Sequence, residues 1–419
     1  MRPGPVESAA ASELAGPDPI ALFARAREPE RFLWLAPDAQ RGCVALGRRS
    51  GIETRGDGRF GAAERAAAAL FARAEEAAAL PLVGGFAFGP AREPAAGWSG
   101  FPDLAFWQPQ RLLELEAGRA RWIGPAGPPA ECEAELPSPL SPHAAALSIE
   151  SDEPAADYRR RIAAALREIE RGEFEKVVLA RRLRVRRRGG FDLEGLLRAL
   201  ASRYPSCRLF ACAREDAVFL GASPEPLLQL RGTRVETAAL AGSIARGQSP
   251  GADRELARAL LESKKEQAEH AAVVRALRAA LLPLCSELSA AEAPRLRRLD
   301  GIQHLETPLR GRLAQPASIF ALADRLHPTP SVSGSPVAPV KRWLARHEEL
   351  SRGWYAGGIG LVDARGEGEL CVALRCALIR GEEAQLYAGA GIVAGSEPEA
   401  ELRETRLKLR ALLDPLLEV

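Results

Sequence analysis

Near the C-terminus, "GAGIVAGSEPEAELRETRLKL" (residues 389–409) places Glu401, Glu404 and Lys408 at spacings of three and four. In a helix those spacings put all three side chains on one face. Gly389 and Gly391 stand just upstream, and glycine lets backbone amides approach an anionic ligand closely. A surface ion-pair face is the plain alternative, and the glycines weigh toward a ligand. A second carboxylate set, Glu262, Glu266 and Glu269, is spaced by four and three and is followed by His270. Two helices presenting carboxylates suit a hard cation, because Mg²⁺ takes one or two protein carboxylates plus ligand oxygens. Pairing of Lys265 with Glu269 across one helical turn is the alternative here. HExxH is absent, so His270 does not indicate a zinc site.

Four further residues have chemistry to offer. Lys176 opens the apolar run "KVVLA", where desolvation favours the neutral amine that a general base requires. Glu225 sits between two prolines in "ASPEP", a setting in which a carboxyl can keep its proton and act as an acid. Arg375 lies in the apolar stretch "VALRCA", and a buried arginine needs an anionic partner, from a ligand or from the chain itself. His304, in "IQHLET", reads either as an oriented core histidine or as a ligand contact.

These residues need elements to hold them. "DYRRRIAAALREIERGEF" is predicted as a helix ending near Gly172, and "KVVLARRLRV" as a strand with one solvated arginine face. "RLFACARE" and "AVFLGASPEPLLQLRG" read as adjacent strands, the second broken at 223–226. A single long helix is predicted over 253–282, and the four prolines of "HPTPSVSGSPVAP" exclude a regular element there. "WYAGGIGLVD", "GELCVALRCALIR" and "AQLYAGAGIVAG" read as three sequential strands. Ser396 and Glu399 form a capping-box pattern opening the last helix. Hairpin-length connections imply an α+β fold with mostly antiparallel sheets. Residues 1–18 read as a disordered lead-in, 19–124 as an N-terminal half, 125–150 as a Pro-rich linker and 151–419 as the site-bearing region.

Composition narrows the class. With 57 Lys plus Arg against 55 Asp plus Glu, the net charge of +2 gives no support for a nucleic-acid or membrane surface. No signal-peptide pattern or apolar run of membrane-spanning length is evident. Seven cysteines without a CxxC pair read as buried thiols in a reducing compartment, and the chain is expected in the cytoplasm.

In order along the chain, "FEKVVLARR", "GASPEPLL", "ETAALAGSIARG", "EHAAVV", "QHLETPLRGRL", "HPTPSVSGSP", "GWYAGGIG", "VALRCA" and "GAGIVAGSEPEAELRETRLKL" resemble the chorismate-utilising enzymes, and within them the isochorismate-forming branch. "LVGGFAFGP" and "WSGFPDLAFWQP" extend the resemblance toward the N-terminus. It implies a large two-lobed α/β sandwich with the site between its halves, and a reaction in which water adds at C2 of chorismate and the C4 hydroxyl leaves. Lys176 would be the general base and Glu225 the general acid. Glu269 and Glu404 would hold Mg²⁺, with Glu401 in support through water. Arg375, Lys408 and the amides around Gly389 and Gly391 would hold the substrate carboxylates. Ala241, Gly242 and Ser243 match a substrate-contacting loop, and His304 would lie near the ring carboxylate. Ser243 replaces the family's usual threonine and keeps the hydroxyl, while Pro226 departs from the pattern beside Glu225. The resemblance further implies a monomer or homodimer with no obligatory glutaminase subunit. Its product would feed a menaquinone, siderophore or salicylate route. A salicylate synthase, which goes on to eliminate pyruvate, and a non-catalytic chorismate-binding relative are the alternatives.

Overall fold

A computed structural model of the chain describes residues 16–73, 80–91, 97–124 and 147–419. Most of the lead-in and of the Pro-rich linker lies outside them. Two antiparallel sheets, of eleven and ten strands, form a sandwich. The larger sheet runs in the order Gly334–Ser335, Lys176–Arg187, Glu383–Val393, Cys376–Arg380, Ala217–Ser223, Arg208–Arg214, Arg31–Ala36, Arg41–Leu46, Arg111–Glu116, Arg119–Ile123. Leu147–Ser151 also pairs with Lys176–Arg187, so the last residues of the expected linker form a strand. The smaller sheet runs Cys285–Ala290, Ile302–Leu313, Arg234–Ala245, Pro226–Arg231, Gly368–Val372, Gly358–Val362, Leu82–Phe86, Leu104–Gln108, Ser50–Thr54. Arg295–Arg298 adds to it beside Ile302–Leu313.

Between the sheets lies a core rich in aromatic side chains. Phe32, Phe210 and Phe219 from the larger sheet meet Phe86, Phe106 and Trp107 from the smaller one. Each of these rings removes roughly 150–250 Å² from water, so together they dominate the packing free energy. The outer face of the larger sheet is covered by the helices Pro19–Arg25, Leu193–Arg203 and Pro398–Glu418, through Phe23, Leu197, Leu200, Leu412 and Leu416. None of the helices among the described residues is long and apolar enough to cross a membrane.

Several expectations need correction. The predicted single helix over 253–282 is two, Pro250–Glu262 and Lys264–Leu281. Ser263 is extended, and its hydroxyl accepts from Glu266 N to cap the second helix. Glu262 is therefore exposed at the end of the first helix and leaves the carboxylate set. The last helix starts at Pro398, with the ring at its first turn; Ser396 accepts instead from Val393 N and closes the preceding turn. The Pro-rich run "HPTPSVSGSPVAP" ends inside a helix, Val337–His347. The arginine face of Lys176–Arg187 is only partly solvated, because Arg182 and Arg184 pair with Asp152. Arg181 is on the opposite face, buried over the Tyr158 ring.

The three strands expected near the C-terminus are four, because the chain changes sheet between Gly368–Val372 and Cys376–Arg380. It also changes sheet between Ala217–Ser223 and Pro226–Arg231. The two crossovers run side by side: Val372 N donates to Glu225 O at 3.0 Å, Ala222 N to Arg375 O at 3.1 Å, and Ser223 Oγ to Val372 O at 2.6 Å.

Candidate active site

Both crossovers deliver a side chain to one cleft. Glu225 comes from the first and Arg375 from the second. Arg375 is not inside a strand. It turns the chain with φ +47°, a conformation that costs a non-glycine residue about 1–2 kcal/mol. Its guanidinium is buried and forms no ion pair among the described residues. Instead Arg375 Nη2 donates to His304 Nε2 at 3.0 Å. A guanidinium has only donors, so His304 carries its proton on Nδ1 and donates to Ser243 Oγ at 2.8 Å. Burial, then the charges of Arg375 and Lys408, hold the imidazole well below its usual range, so it is neutral.

Glu225 is buried, and that desolvation pushes its carboxyl up to about 7. The Ser331 hydroxyl, which donates to Glu225 Oε1, and the charges of Lys176, Arg375 and Lys408 oppose the rise without cancelling it. A carboxyl so placed keeps its proton about half the time near neutrality. Lys176 is fully buried, and its strand alternation puts it on the same face as Val178, which lines the cleft. Its surroundings are not simply apolar. Nζ stands 2.9 Å from Glu269 Oε1, at contact distance but without an aligned hydrogen bond.

Gly389 and Gly391 belong to the strand Glu383–Val393, which runs on past its partner Cys376–Arg380 toward the cleft. Opposite them on Lys176–Arg187, Ala180 N and Val178 N bond away from this strand, to Glu348 and Ser333. In an antiparallel ladder that parity turns the N–H and C=O groups of Gly389 and Gly391 outward as well, on the cleft side. Lys408 Nζ donates to Gly389 O at 2.9 Å. The glycines are needed for space: a Cβ at Gly391 would lie 2.2 Å from Glu269 Oε1 and 2.9 Å from Lys176 Cε.

Ala241, Gly242 and Ser243 line the cleft, but on a β-bulge of Arg234–Ala245 and not on a loop. Gly242, at φ +77°, makes the bulge, and Ser243 N donates to Glu266 Oε2 at 2.9 Å. His270 fixes the helix behind it. Its Nδ1 donates to Ala241 O and its Nε2 accepts from Thr307 Oγ1, so it is a structural residue.

Four glutamates gather beside the cleft, each held by a lysine. Lys176 meets Glu269, and Lys408 meets Glu404 at 2.5 Å. Lys265 stands 2.9 Å from Glu266 and 2.7 Å from Glu401. Lys265 thus reaches across to the C-terminal helix, and the pairing with Glu269 along its own helix does not form. Burial and then the neighbouring Glu404 push Glu401 up to about 7. Burial raises Glu269 too, but Lys176 and Lys265 outweigh it and hold that carboxyl below its usual range. Among the described residues no three His, Cys, Asp or Glu side chains converge in ligating geometry. The donor set still fits a hard cation, because it is all carboxylate oxygen and the buried Glu401 Oε2 has no hydrogen-bond partner.

The structure therefore brings Glu225, Ala241, Gly242, Ser243, Glu269, His304, Arg375, Gly389, Gly391 and Lys408 onto one cleft. Lys176 stands directly behind Glu269, and Glu401 and Glu404 are paired with Lys265 and Lys408 beside it. Sequence reasoning missed Ser331 and the stacked Tyr355–Tyr387 pair, with ring centroids 5.1 Å apart. It also paired Lys265 only with Glu269, whereas Lys265 reaches Glu401 of the C-terminal helix.

Comparison with known proteins agrees with this architecture. The salicylate biosynthesis isochorismate synthase of Pseudomonas aeruginosa is 36% identical, covering 98% of this chain and 90% of that protein. The isochorismate synthase MenF of Bacillus subtilis is 33% identical, covering 95% and 91%. The solved structure of MenF, the menaquinone-specific isochorismate synthase from Escherichia coli, superposes with a TM-score of 0.78 at 26% identity, covering 94% of this chain and 91% of that one. The chorismate binding enzyme family matches residues 6–123 and 130–417, and the chain belongs to that family.

Proposed function

We propose that the protein is an isochorismate synthase, interconverting chorismate and isochorismate by adding water at C2 and releasing the C4 hydroxyl. One observation carries the reading. One cleft is lined by a buried carboxyl raised to about 7 and by a guanidinium without an ion-pair partner among the described residues, with the buried Lys176 behind Glu269 in its wall. Lys176 takes a proton from the attacking water as its oxygen bonds to C2. The ring double bonds shift, and Glu225 gives its proton to the C4 oxygen, which leaves as water. Each transfer of this kind contributes roughly 10²–10⁴-fold to rate.

Arg375, Lys408 and the amides of Gly389 and Gly391 hold the two substrate carboxylates, and neutral His304 lies beside the ring carboxylate. Ala241, Gly242 and Ser243 form the wall facing the ring. Glu269 and Glu404 would hold Mg²⁺, with Glu401 in support through water. When bound, the cation would neutralise substrate charge and offer Glu269 a partner other than Lys176. Because water is the nucleophile, the reaction calls for no glutaminase subunit, and a monomer or homodimer suffices. The described cysteines are free, which supports a cytoplasmic enzyme.

The test is chromatography of products after incubation with chorismate and Mg²⁺, with an EDTA control. Partial, reversible conversion to isochorismate that EDTA stops is expected. Salicylate with pyruvate would reassign the chain to the pyruvate-eliminating branch. No product at all would leave a chorismate-binding protein without turnover.

A further inference from the structure

The segment 329–333 brings two hydroxyls to Glu225. Ser331 Oγ bonds to Glu225 Oε1, and Thr329 Oγ1 is 2.6 Å from Ser331 Oγ, with either atom able to donate. Thr329 is buried, while Ser331 lines the cleft. The segment is tightly held. Val332 N and Ser333 N both donate to Thr329 O, and Val332 O accepts from Arg352 Nη1 at 2.8 Å. Arg352 in turn is buried, paired with Glu348 at 2.5 Å, and donates to Val178 O of the strand that carries Lys176. The hydroxyl pair therefore has a fixed position relative to both Glu225 and Lys176.

A proton donor needs a neighbour that suits it before and after it reacts. The charged groups facing Glu225 are Lys176, Arg375 and Lys408, and all three favour only its ionised form. A hydroxyl is different, since it both donates and accepts. We propose that Ser331, backed by Thr329, is a positioning residue for proton transfer at Glu225. Its O–H turns toward Thr329 while Glu225 holds its proton and donates to Ser331 Oγ. Once that proton has gone to the departing oxygen, Thr329 donates to Ser331 and Ser331 donates to the carboxylate. No atom is gained or lost in the pair, which only reverses direction. This rests on Glu225 being the acid.

The experiment is the pH dependence of kcat/KM for the wild type, Ser331→Ala, Ser331→Thr and Glu225→Gln, with melting temperatures alongside. Ser331 bonds both forms of Glu225 but the ionised one more strongly, so losing its hydroxyl should move the alkaline limb upward by about one pH unit in Ser331→Ala. Ser331→Thr keeps the hydroxyl and should restore the limb, and the melting temperatures should stay close to the wild type. Superimposable wild-type and Ser331→Ala profiles, with the limb abolished in Glu225→Gln, would overturn the proposal. If Glu225→Gln keeps both rate and limb, it is the acid assignment that fails.

Discussion

Glu225 and Lys176 are both buried, yet only Glu225 lacks a counter-ion at contact distance, so its carboxyl stores an electrostatic cost. Its pKa in the fold, about 7, is raised from the usual carboxylate value of 4.5. A raised carboxyl favours folding below its unfolded value, and that contribution is lost as pH rises through 7. Glu225→Gln should therefore melt higher than the wild type at pH 8, while losing at least a hundredfold in turnover. Lys176→Ala should lose as much turnover but melt lower, because it leaves Glu269 buried without its partner. Calorimetry and a chorismate-consumption assay at pH 8 check both, and equal melting temperatures would count against the burial argument. Lys176 and Glu225 were legible in the sequence because an apolar run and flanking prolines mark burial locally. Ser331 and Lys265 were not, since their partners lie 106 and 136 residues away.

Among the elements, the strand Glu383–Val393 is the most demanding. It passes so close to the helix Lys264–Leu281 that Gly391 leaves no room for a methyl group. Gly391→Ala would press on both Glu269 Oε1 and Lys176 Cε, at a cost of about 1–3 kcal/mol for overpacking. The expected result is a lower melting temperature and a turnover loss larger than the rise in KM, read from steady-state kinetics. An unchanged kcat would show that the Lys176–Glu269 contact can move aside freely. The sequence marked these glycines through their spacing, and suggested amides offered to an anion. What it could not show was the second reason for glycine, a neighbouring helix packed against the same atoms. The helix break at Ser263 was written in the sequence as Ser-x-x-Glu, but the unbroken apolar periodicity on either side concealed it.

The whole molecule is one sandwich, since strands from 31–123 pair with strands from later in the chain in both sheets. A fragment comprising 147–419 would expose the edges of Arg208–Arg214 and Gly358–Val362, together with half of the aromatic core. It should not fold by itself, and limited proteolysis with circular dichroism would show this; a protease-resistant fragment with a cooperative melt would contradict it. Alternation and turns made the antiparallel class legible, but the order of strands depends on pairings hundreds of residues apart, which no local pattern encodes. The two crossovers give this order a final consequence. Glu225 and Arg375 are fixed where strands step from one sheet to the other, so the thickness of the sandwich serves as the ruler that spaces acid from guanidinium. Aromatic residues wedged between the sheets then set that spacing, and an exchange of one for a smaller ring should be felt in the cleft as a change of gauge.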